Sequence, residues 1–234
     1  MQLDHRPRPT VSLASDADPN APSLTLGRAH EATGPAALVF AALVAGRLSG
    51  PVLWARPARG AGALNPEGLA AFFDPSRLVV AHADRPIDIL WTAEEALRSG
   101  AAPLVVAEVA EPPALTPLRR LQLAAEAGGA AAKDFASAPI SEAQRSTQTQ
   151  TKSDSYGASR QASRLSDQRR APPICIILSP KAGMSGAVES RWRCAPLLGS
   201  DAPAAPRWRF ERIYAKAAPP CVWETGGEIR SLAA

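Results

Sequence analysis

Short apolar runs alternate with helix-like segments along most of this chain, and that alternation limits its fold more than any other feature. "PVLWA" (51–55) and "PPICIILSP" (172–180) read as short buried strands, and "RLVVAHA" (77–83) and "APLVVAEVA" (102–110) as strands. "LTLGRAHEAT" (24–33) reads as a further short strand. Between them lie helical segments. "AALVFAALVAGRL" (36–48) reads as an apolar helix. "NPEGLAAFFD" (65–74) opens with Asn65 as cap and Pro66 as first helical residue. "PIDILWTAEEALRSG" (86–100) sets Ile87, Leu90, Trp91 and Leu97 at roughly helical spacing and stops at Gly100. "LTPLRRLQLAAEAGG" (115–129) enters through Thr116 and Pro117 and is expected to end at Gly128. Strand–helix alternation of this kind predicts an α/β fold, a mostly parallel central sheet covered by helices on both faces.

Further along, "RWRCAPL", "RWRFERIYAKA" and "PCVWET" alternate polar and apolar residues, as half-exposed antiparallel strands do. They predict a C-terminal antiparallel extension. The alternation places Arg191 and Arg193 on one face of the first strand, and Arg207 and Arg209 on one face of the second. Paired strands would then line one surface with four guanidinium groups, which suit phosphate oxygens and carboxylates. A solvated edge, a protein contact and a DNA-backbone contact all remain open for this surface.

Composition sets the domain limits. The 234 residues suffice for one domain of ordinary size plus tails. Residues 1–22 are polar and Pro-rich, and are expected to form a disordered arm rather than a signal peptide. Residues 23–226 form the domain. A disordered polar insertion at 134–171 interrupts it, with its core at 141–170 ("SEAQRSTQTQTKSDSYGASRQASRLSDQRR"), and 227–234 form a flexible tail. The net charge of +4 permits an acidic partner without arguing for one. The longest apolar run, "PAALVFAALVAG", is short of the ~20 residues that span a bilayer, so a cytoplasmic protein without membrane contact is expected. Cys175, Cys194 and Cys221 form no CxxC and no metal-ligand spacing with His, and read as reduced thiols.

The stretch "HEATGPAALVF" has the framework of a phosphate loop: a strand, a Gly-Pro turn, then a helix N-terminus. Such a loop needs G-x-x-x-x-G-K-[ST], in which backbone amides, a lysine and a hydroxyl handle phosphates and Mg²⁺. Here Gly34 has no second glycine at that distance, Pro35 lacks an N–H, and no lysine precedes Lys133. His30 and Glu31 do not begin a zinc-protease motif, since Gly34 stands where the second His would be. "HADRPID" (82–88) reads as loop capping before a helix, and no G-x-S-x-G is present.

The order of these segments, and above all "DPSRLVVAHADRPIDILWTAEEALRSGA" and the repeated "RWR", resembles the ImuA family of RecA-like, DNA-damage-inducible bacterial proteins. The resemblance covers about residues 24–132 and 174–225; the polar insertion departs from it. It implies a RecA-like three-layer αβα core. It also implies an accessory role in SOS-induced mutagenic translesion synthesis, with an ImuB-like inactive Y-family polymerase and RecA as partners and DNA as a further one within a mutasome. By the same resemblance Glu108 stands where RecA has its magnesium-associated aspartate. "PVLWARP" corresponds to the strand carrying RecA's catalytic glutamate, yet no acid lies between Val52 and Asn65. The expectation is therefore a non-catalytic adaptor with no catalytic residue, cofactor or metal. A divergent RecA-like DNA-dependent ATPase and an SOS cell-division inhibitor are the alternatives.

Overall fold

The computed structural model of the chain describes residues 8–14, 21–60, 62–137, 171–197 and 206–226. The expected insertion core and the C-terminal tail lie outside the described residues. Ten strands and four α-helices are described: β1 (Thr10–Ser12), β2 (Ser23–Thr25), β3 (Ala29–Thr33), α1 (Ala37–Arg47), β4 (Val52–Pro57), α2 (Pro66–Ala70), β5 (Leu78–Ala83), α3 (Pro86–Ser99), β6 (Leu104–Glu108), α4 (Leu115–Ser137), β7 (Ile174–Ser179), β8 (Ser190–Leu197), β9 (Arg207–Ala215) and β10 (Cys221–Gly226). Eight strands form one sheet in the order β10-β9-β8-β3-β7-β6-β4-β5, and β1 pairs with β2 in a separate antiparallel ribbon. From β5 to β8 the neighbours are parallel; β9 runs antiparallel to both β8 and β10. The expected α/β class, parallel core and antiparallel extension are all present.

The period-2 alternation of the strands divides the core in two. Val52, Trp54, Leu104, Val106, Ile174 and Ile176 face α1, whereas Ala55, Val105, Ala107, Cys175 and Ile177 face α3 and α4. Because α1 is apolar, it buries Phe40, Ala41, Ala42, Val44 and Ala45 completely. Arg77 ties down its C-terminal end, donating Nε to Gly50 O at 2.7 Å and Nη2 to Leu48 O at 2.6 Å. Phe40 stacks near Trp192 (5.2 Å between centroids) and Phe210 (5.5 Å), and Phe210 lies 5.7 Å from Trp223. These aromatic contacts fuse the antiparallel extension to the parallel core.

Local signals explain most boundaries. Asn65 caps α2 by accepting from Glu67 N at 3.0 Å, and Gly100 ends α3 in the left-handed conformation. Other boundaries depart from expectation. "LTLGRAHEAT" is two strands, broken by the turn at Gly27. Residues 10–12, expected in an arm, form β1, where Val11 and Leu13 alternate into the α1-side core. Helix α3 buries Ile89, Ala93, Glu94 and Leu97 and leaves Ile87 and Trp91 on its outer side. Helix α4 runs on through Gly128 to Ser137. Gly128 is a crossing point rather than a stop: a Cβ there would stand 1.9 Å from the Leu97 carbonyl oxygen.

No helix among the described residues is long and apolar enough to cross a membrane. The crossing of α3 and α4 gives a direct test. Gly128→Ala should destabilise the protein by about 1–3 kcal/mol through overpacking, whereas Gly62→Ala, which meets no atom within 4 Å, should leave the denaturant midpoint nearly unchanged.

Candidate functional site

The Gly-Pro turn, expected to keep only the framework of a phosphate loop, joins β3 to α1. Gly34 has φ 95°, and a Cβ there would stand 2.4 Å from the Cys194 carbonyl oxygen, so only glycine fits under β8. That same carbonyl accepts the Ala36 N–H at 3.2 Å, and the Ala37 N–H turns back to Gly34 O at 3.0 Å. With Pro35 lacking an N–H, the first three positions after Gly34 offer no free amide to an incoming anion. Cap residue Ala36 supplies no side-chain bond to the helix start.

Glu108, at the carboxyl end of β6, faces Arg56 from the end of β4. Arg56 Nη2 lies 3.2 Å from one carboxylate oxygen and 3.1 Å from the other, and Trp54 Nε1 donates at 3.3 Å. Both oxygens are thus engaged within the protein. Arg56 is buried, and its Nε has no hydrogen-bond partner among the described residues. In "HADRPID", Asp88 takes both its oxygens to Arg85 at 2.7 Å in the first turn of α3; the Arg85 hydrogen bond holds that carboxyl below the usual range. No group of three or more His, Cys, Asp or Glu side chains that could hold a metal ion occurs among the described residues.

The four expected surface arginines separate into two kinds. Arg193, Arg207 and Arg209 do share the open face of the extension, each beside a carboxylate: Arg193–Glu211 at 3.0 Å, Arg209–Glu224 at 2.6 Å and Arg207–Glu224 at 3.6 Å. Arg191 does not belong to that surface. The β7–β8 connection passes over it, and it is 7% exposed. Its Nε donates to Glu31 at 2.7 Å, its Nη2 donates to Ser185 O at 2.9 Å, and its guanidinium lies 5.6 Å from the Tyr214 ring centroid. A bulge between Arg191 and Trp192, where Arg191 pairs with Tyr214 and Trp192 with Arg212, brings that ring onto the arginine's face. Strand alternation correctly put Arg191 and Arg193 on one face; it carries no information about what covers that face.

Two polar groups of β3 organise this region, and the sequence reading assigned neither a role. Glu31 is 2% exposed and accepts from Arg191, from Ser179 Oγ at 3.3 Å and from the Gly183 N–H, which pins the β7–β8 loop to the sheet. The signal was available: a carboxylate in mid-strand between Ala29 and Ala32 requires a partner. His30 lies on the other face. Its Nε2–H donates to Thr25 O at 2.9 Å, so Nδ1 accepts from Ser190 Oγ at 2.7 Å, and Ser190 Oγ accepts from Trp192 Nε1 at 2.8 Å. Burial lowers the His30 pKa to about 4, which keeps the ring neutral. Burial also pushes the Cys175 and Cys194 thiols up to about 12, well away from thiolate chemistry.

Arg191→Ala leaves the Glu31 carboxylate buried without its cation and should cost about 3–5 kcal/mol, read as a denaturant midpoint. Alanine at Arg193, Arg207 or Arg209 should shift that midpoint little. His30 gives a pH dependence of defined sign. Its folded pKa lies below the unfolded value, so the unfolded chain gains the proton first as pH falls. Stability is therefore full above about pH 6.5 and declines toward about pH 4, by at most roughly 3 kcal/mol. Chemical denaturation across that range should show the decline, and His30→Gln should flatten it. No family model matches the chain, and no curated protein matches it.

Proposed function

We propose that this protein is a non-catalytic adaptor of SOS-induced mutagenic translesion synthesis. In this reading it is an ImuA-like, RecA-like scaffold that works in the cytoplasm with an ImuB-like inactive polymerase and RecA. The observation that carries the reading is the turn at Gly34. The Ala36 amide at the start of α1 is hydrogen-bonded to the Cys194 carbonyl. A β8 carbonyl therefore occupies an amide that an anion bound at this helix start would call on.

Two further features support it. The carboxylate at the end of β6, which would hold Mg²⁺ in an active enzyme, is neutralised by Arg56. No lysine precedes Lys133, so the cation that offsets phosphate charge is missing from the first half of the core. A framework kept without its ionic chemistry fits a protein selected for the surfaces it presents. The three outward arginines of the extension, each shared with a carboxylate, suit exchange of ion pairs with a protein partner better than tight phosphate capture.

Two measurements test this together. A fluorescent ATP analogue with Mg²⁺ should show no saturable binding up to about 100 μM, and micromolar binding would reinstate the ATPase alternative. An ImuB-like protein from the same genome should co-elute with this chain in size-exclusion chromatography. Separate elution at concentrations of about 10 μM would remove the adaptor role.

A further inference from the structure

A cleft of about 710 Å³ opens between α4 and the β7–β8 connection. Gln122 builds its floor: its Oε1 accepts the Ala29 N–H at 2.9 Å and its Nε2 donates to Ala187 O at 2.8 Å. Beside it the buried Arg28 pairs with Glu126 and, at 3.6 Å, with Glu189. One wall is the outer side of α4. There Leu115 and Leu123 are 45% and 64% exposed, with Arg119 between them at helical spacing. Lys216 at the end of β9 and Arg8 from the N-terminal segment complete the rim.

The charges do not balance. Arg8, Arg28, Arg119 and Lys216 stand against Glu126 and Glu189. Arg28 and Lys216 share those two carboxylates, while Arg8 and Arg119 pair with none among the described residues. The two exposed leucines are eight residues apart, about 12 Å along the helix, the separation of two anchors on an extended or helical peptide.

We propose that this cleft docks an acidic peptide segment of a partner protein, with apolar anchors on Leu115 and Leu123 and carboxylates on Arg119 and Arg8. Charge complementarity selects that occupant. The chain's own polar stretch 141–170 carries six Lys/Arg against three Asp/Glu and is repelled. Nucleic acid is disfavoured on two counts: Glu126 and Glu189 line the cleft, and no aromatic side chain among the described residues lines it to stack a base. The inference is independent of the translesion reading, since it stands on the chemistry of the cleft alone.

Fluorescence anisotropy of the full chain tests it with three probes: a labelled peptide of about twelve residues alternating leucines with glutamates and aspartates, the same peptide with every acid replaced by lysine, and a single-stranded thymidine oligonucleotide. The acidic peptide should bind with a Kd on the order of 10–100 μM, weaken as salt is raised, and lose roughly tenfold or more in Arg119→Glu and in Leu123→Ser. Both side chains are exposed, so unchanged melting temperatures separate lost binding from lost folding. Absence of saturable binding to the acidic peptide overturns the proposal. So does equal binding of the lysine peptide, or indifference to both variants. Oligonucleotide binding abolished by Arg119→Glu would assign the cleft to nucleic acid instead. A dimer of the wild type that Leu123→Ser dissociates would assign it to a second copy of the chain.

Discussion

The carboxylate of Glu31 lies on β3, the strand with parallel partners on both sides and packed material on both faces. A charge in such a place is tolerable only when its hydrogen-bonding capacity is filled and its charge is matched. Arg191 supplies the match, and Ser179 and the Gly183 amide supply the rest. One side chain thereby decides where the β7–β8 connection lies, which face of β8 is covered, and why the first arginine of "RWR" points inward to company rather than outward to solvent. On the other face of the same strand, His30, Ser190 and Trp192 form a second closed chain of donors and acceptors. The centre of the sheet is thus held by two small polar networks back to back, with hydrocarbon packing arranged around them.

This arrangement bears on the turn that follows β3. Since β8 is locked to β3 by Glu31 and Arg191, its backbone continues directly over Gly34, and the Cys194 carbonyl reaches the Ala36 amide. The closed turn at Gly34 and the buried ion pair are therefore parts of one geometry. At the neighbouring strand ends the same tendency holds: Glu108 is turned to Arg56 and Trp54. At the ends of β4 and β6, as at β3 and β8, polar side chains tie neighbouring strands together.

Much of this was legible in the residues. Strand alternation gave the parallel core and the two-sided packing, because apolar period and strand length are local properties. Asn65 and Gly100 marked helix ends because their roles are fulfilled within one turn. What stayed hidden was whatever depended on a neighbour distant in sequence. Gly128 looked like a helix stop, and only the proximity of Leu97 explains why the helix passes through it. Ile87 and Trp91 fit a helical stripe, yet the sheet lies against Ile89, Ala93 and Leu97. Residues 10–12 looked like an arm because a three-residue strand has too little pattern to register alone. The paired Glu31 was missed for a simpler reason: its partners are 148 to 160 positions away.

The bulge between Arg191 and Trp192 bears on how the β8–β9 register is fixed. An antiparallel pair joined by a tight turn takes its alignment from the turn. Here β8 and β9 are joined by a longer stretch, 198–206, and their alignment is set at the other end, where the irregularity seats Tyr214 against Arg191 and Arg212 over Trp192. A change in the length of that stretch would therefore not by itself slide one strand past the other.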